Sequence, residues 1–197
     1  MKLMGVQPYR LHAEPKYQVD DTALFDYSLF FVSILYDYYM ETKDEETRKD
    51  LTPTAYRQIE LAVRDMDEEK GFFVSGKERQ TSWAAQVWMV LADVFGDKAR
   101  NAQLLEHTIV IDPKIRMVTP YMYHHFIEAL VQNDRKEVAL SFMRAYWGEM
   151  VKDGADTFWE LYDPADKNIA PYGSKMVNSY CHAWSCPPSY IIRKYLV

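Results

Sequence analysis

Apolar residues recur three and four positions apart along most of the chain, and this spacing constrains the fold to packed α-helices. Glycine, which would interrupt such helices, occurs only 7 times, and no stretch carries a clear strand signal. The 197 residues are enough for one well-buried domain but not for two with independent cores. We therefore predict a single all-α domain over residues 1–197, with about eight helices and essentially no strand.

The predicted helices are of two kinds. The helix over about residues 22–41 contains LFDYSLFFVSILYDYYM and is apolar on nearly every face, which is typical of a helix packed on two sides. The helix over about residues 53–67 has a single apolar stripe, as expected for an outer helix. This alternation predicts helical hairpins arranged in two layers.

Start and stop signals place further helices. Polar capping residues, proline at a first helical position and glycine after a last turn are the signals used. Thr81 or Ser82 is predicted to cap a helix that ends at Gly96, and Thr119 followed by Pro120 begins another. Asp134 and Glu137 form a capping-box-like pair at the start of a third helix.

Residues 152–173 show neither helical nor strand periodicity. A structureless loop longer than roughly 12–15 residues is uncommon in a compact domain and is often functional. After it we predict a helix from about Ser174 until Pro187 and Pro188 interrupt it, and then a short terminal helix. The long segment is therefore the first place to look for a site.

Charge and hydropathy exclude several classes of function. The chain has 23 Lys and Arg against 29 Asp and Glu, and no basic stripe that could neutralise a phosphate backbone, so nucleic acid is not an expected partner. No run of 18 apolar residues occurs, and the N-terminal residues lack the apolar core of a signal peptide, so neither a membrane span nor export is expected. Cys181 and Cys186 lie on different faces of the predicted helix, which disfavours a bridge and fits a reducing compartment. We predict a cytoplasmic protein.

No metal or cofactor site is predicted. Cys181, His182 and Cys186 lack the paired ligand spacing of a structural zinc site. His124 and His125 are expected to point to different helix faces. The sequence also contains no glycine-rich phosphate loop and no nucleophile elbow.

Carboxylates and aromatic rings are concentrated in the long segment and just after it. Sugars present C–H faces that pack on aromatic rings and hydroxyls that bond to carboxylates, amides and imidazoles, and cleavage of a glycosidic bond uses a pair of carboxyl groups. A carbohydrate site is therefore one interpretation; the other is a packing tryptophan beside a solvated glutamate, with a hydrogen-bonded core histidine. The residues concerned are Asp156, Trp159, Glu160, Tyr162, Asp163, Tyr172, Asn178 and His182.

Two strings in this region, YWGEMVKDGADTFWELYDP and NSYCHAWSCPPSYIIRKY, resemble the catalytic domain of bacterial α-L-rhamnosidases. The string DYSLFFVSILYDYYMETKDEE is similar to an earlier helix of the same domain. The resemblance implies a six-hairpin (α/α)6 toroid, here shortened, and a rhamnoside ligand. It also implies hydrolysis of terminal α-L-rhamnose with inversion at the anomeric carbon, without a metal or an organic cofactor.

The resemblance assigns roles only where its motifs match. The glutamate after Phe-Trp is the general base in that family, a role that falls on Glu160, and the histidine of the following segment contacts the sugar, a role that falls on His182. Trp159, Asn178 and Tyr172 are further candidates for contact with the sugar, chosen for their chemistry and position.

The general acid of that family lies in a segment of the form Asp-Gly-Pro-x-Arg-Glu followed by Gly-Trp-x-Gly-Asp, and this chain contains no such string. Two hypotheses follow. In the first, the protein is a hydrolase in which Asp26, Glu78 or Asp156, or a partner chain, supplies the acid. In the second, it is a non-catalytic remnant that binds sugar or only folds, with a homo-oligomer covering apolar faces that further helices would have buried.

Overall fold

Three helical hairpins form the body of the protein in the computed structural model, which describes residues 10–13, 16–19, 25–64, 66–75, 79–171 and 173–197. The hairpins are α1 (Phe25–Thr42) with α2 (Glu45–Val63), α3 (Trp83–Leu91) with α4 (Lys98–Ile111), and α5 (Pro120–Gln132) with α6 (Lys136–Lys152). A short helix α7 (Pro187–Ile191) packs on α5 and continues into a π-helical turn, Ile192–Leu196. The described part of the chain is mostly helical, which confirms the predicted all-α class.

The hairpins are arranged in two layers. α1 contacts α3 and α3 contacts α5, while α2, α4 and α6 each contact the preceding helix of their own hairpin. The inner helices α3 and α5 carry the centre of the core, where Val87, Phe126 and Leu130 are completely buried. The two-layer prediction is thus confirmed, and the described residues form three hairpins, compared with six in a closed toroid.

The start of α5 follows its sequence signal. Pro120 occupies the first turn, where it loses no hydrogen bond, and the Thr119 hydroxyl accepts a hydrogen bond from the Met122 amide at 3.3 Å. Ser82 caps α3 in the same way through the Ala85 amide, at 3.1 Å.

Two other helix boundaries were predicted wrongly. α3 ends at Leu91 rather than at Gly96, because Asp93 already adopts a left-handed conformation with φ 50°. Asp134 and Glu137 do not form a capping box. Asp134 is itself left-handed, with φ 62°, in the tight turn between α5 and α6, and its carboxylate faces Lys98 instead of the helix terminus.

The described residues also contain five short strands, which corrects the prediction of essentially none. β1 (Arg10–Ala13) pairs antiparallel with β2 (Lys16–Val19), and β4 (Phe72–Ser75) lies between β3 (Met66–Asp67) and β5 (Gln80–Thr81). Three consecutive buried residues of β4, Phe72, Phe73 and Val74, pack on α3, so this strand lacks the alternation that reveals a half-buried strand in a sequence.

Among the described residues, α1 packs on α2 and α3, and several of its apolar side chains stay exposed. Ile34 and Tyr38 lie one turn apart on the same face of the helix and are 49% and 42% exposed, and we call these two residues the α1 outer surface. The prediction that this helix is packed on two sides holds for its contacts, which bury Leu35 and bring Phe30 against the core but leave other apolar residues exposed. Among the described helices, none combines the length and the apolar character needed to cross a bilayer.

The helix predicted from Ser174 to Pro187 does not form. Two short 3-10 helices, Lys175–Val177 and Ala183–Ser185, flank a stretch in which Asn178 and His182 have extended backbone. Cys181 and Cys186 lie in this segment, and both are exposed and free. Backbone groups of Ser179 and His182, which would have bonded within a helix, form hydrogen bonds with the preceding loop instead.

Candidate functional site

The long irregular loop and the segment after it are joined by backbone hydrogen bonds. The Glu160 amide donates to the Ser179 carbonyl at 2.8 Å, and the His182 amide donates to the Phe158 carbonyl at 2.7 Å. The indole of Trp184 donates to the Glu160 carbonyl at 2.9 Å. These bonds place Glu160 and His182 on two adjacent stretches of chain.

The Glu160 side chain is held by the neighbouring stretch. One of its carboxylate oxygens, Oε2, accepts a hydrogen bond from the Ser179 amide at 2.8 Å, and the residue as a whole is half-buried. A carboxylate bonded to a backbone amide has a defined direction, and partial exposure leaves it accessible to water. This combination suits a base that accepts a proton from a positioned water molecule.

His182 is fixed by Trp184. Its ring stacks on the Trp184 indole, with 4.2 Å between ring centroids, and its Nδ1 accepts a hydrogen bond from the Trp184 amide at 3.4 Å. Because Nδ1 is the acceptor, the proton of the neutral ring lies on Nε2, which can donate to a ligand hydroxyl. The Trp184 indole also packs on Tyr121 of α5, with 5.7 Å between centroids, so the ring pair rests on the inner layer.

Trp159 and Asn178 contribute to a different part of this region. Both line a cavity of about 230 Å³, which neither Glu160 nor His182 lines. The Trp159 ring meets Tyr180 and Tyr162 edge-on, with 5.5 and 5.9 Å between centroids. The Asn178 amide donates to the Ile169 carbonyl at 3.4 Å, while its buried Oδ1 has no partner among the described residues.

The structure describes only some of the remaining candidates, which are Tyr172 and the three carboxylates considered as the general acid. Tyr172 and Glu78 lie outside the described residues. Asp26 belongs to α1, where only its backbone is described. Asp156 is exposed in the long loop, four residues before Glu160.

Asp153 anchors the beginning of the long loop, a role that the sequence analysis did not assign. Its carboxylate accepts hydrogen bonds from Lys167 at 2.6 Å and from the Tyr162 hydroxyl at 2.5 Å. The hydrogen bond from Lys167 and then that from Tyr162 hold the pKa of this carboxyl below its ordinary value. Burial first, and then the bond to Asp153, raises the pKa of Tyr162.

We expect Asp153→Asn to lower the melting temperature by a few degrees at neutral pH. Because the folded-state pKa of Asp153 is depressed, its stabilisation is complete above the unfolded-state pKa and is lost as the pH falls through the folded-state pKa. The difference in melting temperature between the two proteins, measured by circular dichroism, should therefore shrink as the pH falls below 3.8. Asp156→Asn, at an exposed position, is the matched control and should leave the melting temperature unchanged. A difference of constant size down to the lowest pH would contradict this role of Asp153.

A second group of titratable side chains lies on α5, away from the long loop. His124 and His125 do not diverge as expected, since their ring centroids are 4.8 Å apart, and Glu128 lies one turn further along the helix. Burial lowers the pKa of His125 to about 3 and also lowers that of His124. Burial opposes ionisation of Glu128, but the hydrogen bond from Tyr195 and the charges of His124 and Lys194 outweigh it and lower its pKa. The sequence signal for this group was the string HHFIE, in which His124 and Glu128 lie one helical turn apart and His125 is adjacent.

No protein-family model matches this chain, and no curated protein matches it. The chain does match solved structures. The rhamnosidase from Klebsiella oxytoca with rhamnose bound matches 98% of this chain at 35% identity, with a TM-score of 0.71. The GH78 family rhamnosidase from Bacillus sp. GL1 matches 98% of this chain at 24% identity, with a TM-score of 0.72, and shares the fold.

The two layers of helical hairpins and the 35% identity to the Klebsiella oxytoca enzyme thus define a glycoside hydrolase-like protein. More particularly, the chain is similar to part of a rhamnosidase, which confirms the resemblance seen in its sequence. It covers 51% of the Klebsiella oxytoca chain and 22% of the Bacillus chain.

Proposed function

We propose that this protein hydrolyses terminal α-L-rhamnosides with inversion, and that Glu160 is the general base. One observation carries the proposal. The Glu160 carboxylate is oriented by the Ser179 amide, and the Glu160 backbone carbonyl accepts a hydrogen bond from the Trp184 indole on which His182 stacks, in a fold similar to that of a rhamnosidase with rhamnose bound. The cytoplasmic location expected from the N-terminal sequence and the cysteines belongs to the same proposal.

In this mechanism Glu160 accepts a proton from the water that attacks the anomeric carbon. His182 donates a hydrogen bond from Nε2 to a sugar hydroxyl, in the tautomer that the Trp184 amide selects. Trp159 and Asn178, which line the neighbouring cavity, extend the contact surface for the sugar. Tyr172 belongs to the same proposed set through its chemistry and its position in the chain.

Inversion requires a second carboxyl group about 6.5–9.5 Å from the base, to protonate the leaving oxygen. Asp156, in the same loop as Glu160, is one proposed source, and Asp26, Glu78 or a partner chain are the others. A leaving group that departs readily as an anion needs little help from an acid. The first substrate to test is therefore a nitrophenyl α-L-rhamnoside.

The test compares release of nitrophenol from the aryl α-L-rhamnoside with release of the sugar from an alkyl α-L-rhamnoside. A protein with a base but a poor acid is expected to turn over the aryl substrate and to leave the alkyl substrate almost untouched. Following the anomer first formed by NMR checks inversion. Absence of nitrophenol release by a protein shown to be folded would rule out this catalytic function for rhamnosides.

A second candidate function is favoured by the α1 outer surface. Ile34 and Tyr38, on one face of α1, are far more exposed than the core residues of the inner layer. Exposed apolar surface of this kind marks an interaction site in many proteins. In this alternative the protein is a non-catalytic helical protein that binds sugar or self-associates, and in the self-associating form a second copy covers the exposed face of α1.

We expect the protein to sediment as a dimer or larger species, and Ile34→Asp to weaken the assembly by at least roughly tenfold, because it places a charge in a buried apolar contact. Analytical ultracentrifugation over a range of concentrations measures both effects. Val110→Asp on α4 is the control, since Val110 is 79% exposed and lies outside the α1 outer surface. A monomer at every concentration would rule out self-association through this surface.

A further inference from the structure

A larger cavity of about 580 Å³ lies against the inner helices α1, α3 and α5 and the C-terminal segment. His124, His125 and Glu128 line it from α5, and Trp88 lines it from α3. None of Trp159, Glu160, Asn178 and His182 lines this cavity. It is therefore separate from the proposed sugar site among the described residues.

The three α5 side chains bring their ligand atoms together. One nitrogen or oxygen of each lies within 4.8 Å of those of the other two. The closest pair recorded, His124 Nε2 and Glu128 Oε2, is 3.6 Å apart. Two ligands on a tetrahedral zinc ion at about 2.1 Å lie about 3.4 Å from each other, so this pair already has nearly the required spacing.

Two of the ring nitrogens are unpaired although they are buried. His125 is only 8% exposed, and its Nε2 has no hydrogen-bond partner among the described residues. His124 Nδ1 and the indole nitrogen of Trp88 are also buried without a partner among the described residues. His124 presents its other nitrogen, Nε2, to Glu128, and an indole N–H donates but does not bind a cation. Buried polar atoms almost always have a partner, so the unpaired His125 Nε2 in this cavity points to a ligand that bonds to it.

The surroundings hold the three ligands in place. The His125 ring lies between Trp88 and Tyr121, with centroids 4.4 and 4.6 Å away. Glu128 Oε1 accepts a hydrogen bond from Tyr195 at 2.7 Å and lies 3.3 Å from Lys194, which leaves Oε2 on the side of His124. The Lys194 ammonium repels a bound cation, but it contacts Oε1 of Glu128, whereas Oε2 faces His124. Such outer contacts orient metal ligands in known sites.

We propose that His124, His125 and Glu128 bind a divalent transition-metal ion, and that zinc fits this set best. Two imidazoles and one carboxylate form an established zinc ligand set that keeps a fourth position open. All three residues line the cavity, which is large enough for water and a small ligand.

The test is titration of the full chain, freed of metal with a chelator, with Co²⁺ and then with Zn²⁺. We expect one Co²⁺ per chain, visible absorption bands of a low-symmetry cobalt site, and quenching of tryptophan fluorescence because Trp88 adjoins His125. Zn²⁺ should displace Co²⁺ and raise the melting temperature, since it binds only the folded protein. His125→Phe and Glu128→Gln should each weaken binding by roughly 100-fold or more.

Matched variants separate this site from other ligands. His107→Gln removes a histidine outside the cluster and should leave the affinity unchanged. The double variant Cys181→Ser/Cys186→Ser removes the two exposed thiols, and the cobalt spectrum should persist in it without a thiolate charge-transfer band.

Two results would overturn the proposal. One is the absence of stoichiometric Co²⁺ or Zn²⁺ binding by the folded wild-type chain. The other is binding that disappears in the cysteine variant but survives in folded His125→Phe and Glu128→Gln. Circular dichroism of each variant establishes that it is folded before its affinity is compared.

Discussion

Glu160→Gln is expected to lower the rate of aryl α-L-rhamnoside hydrolysis by roughly 10²- to 10⁴-fold, the usual contribution of a general base. The glutamine amide oxygen can still accept the hydrogen bond from Ser179, so the loop should keep its conformation. The variant therefore removes the basic carboxylate and leaves the supporting bond. Steady-state kinetics should show the loss mainly in kcat, because a sugar that binds the neighbouring groups is still bound.

Two further proteins make this experiment decisive. Glu149→Gln replaces an exposed glutamate that pairs with Lys152 on α6, and it should retain full activity. Glu160→Ala also removes the Ser179 bond, so it should lose thermal stability as well as activity. If Glu160→Gln keeps more than about a tenth of the wild-type rate, Glu160 is not the base.

Gln86→Ala is expected to reduce the free energy of unfolding by about 3–5 kcal/mol, because it leaves several buried backbone groups unpaired. Gln86 is completely buried on α3. Its side-chain oxygen accepts from the Phe73 amide at 2.9 Å, and its nitrogen donates to the carbonyls of Phe73 and Ser82 at 2.8 and 3.0 Å. One side chain thus joins β4 to the inner layer.

The measurement is chemical denaturation followed by circular dichroism. Gln86→Met has a similar volume and leaves the same backbone groups unpaired, so it separates the loss of hydrogen bonds from the creation of a cavity. Gln103→Ala on the exposed face of α4 is the control and should change stability little. If Gln86→Met is as stable as the control, the hydrogen bonds of Gln86 do not hold β4 in place.

Some features could be predicted because they depend on neighbours in the chain. Thr119 and Pro120 begin α5 as expected, since a cap and a proline act on the first turn of their own helix. The two-layer arrangement followed from helical apolar periodicity in the same way. The irregular nature of residues 153–171 and the position of Glu160 within them also followed from the loss of periodicity and from the rhamnosidase-like motif.

Other features depend on distant partners. Residues 174–186 have a helical apolar pattern. However, Ser179 and His182 form hydrogen bonds with Glu160 and Phe158, and these long-range bonds replace those of a helix. β4 shows no alternation because Phe72, Phe73 and Val74 are all buried where the strand packs on α3, and Gln86 of α3 bonds to its backbone.

The sequence by itself determined the helical class, the two-layer arrangement and the loop that carries Glu160, because caps and apolar periodicity act within short stretches of chain. Only the tertiary structure decided which side chains share a cavity. It separated Trp159 and Asn178 from Glu160 and His182, and it brought His124, His125 and Glu128 together beside Trp88. Such groupings depend on how helices and loops pack across long sequence distances, where each buried polar group takes the nearest partner that the fold supplies.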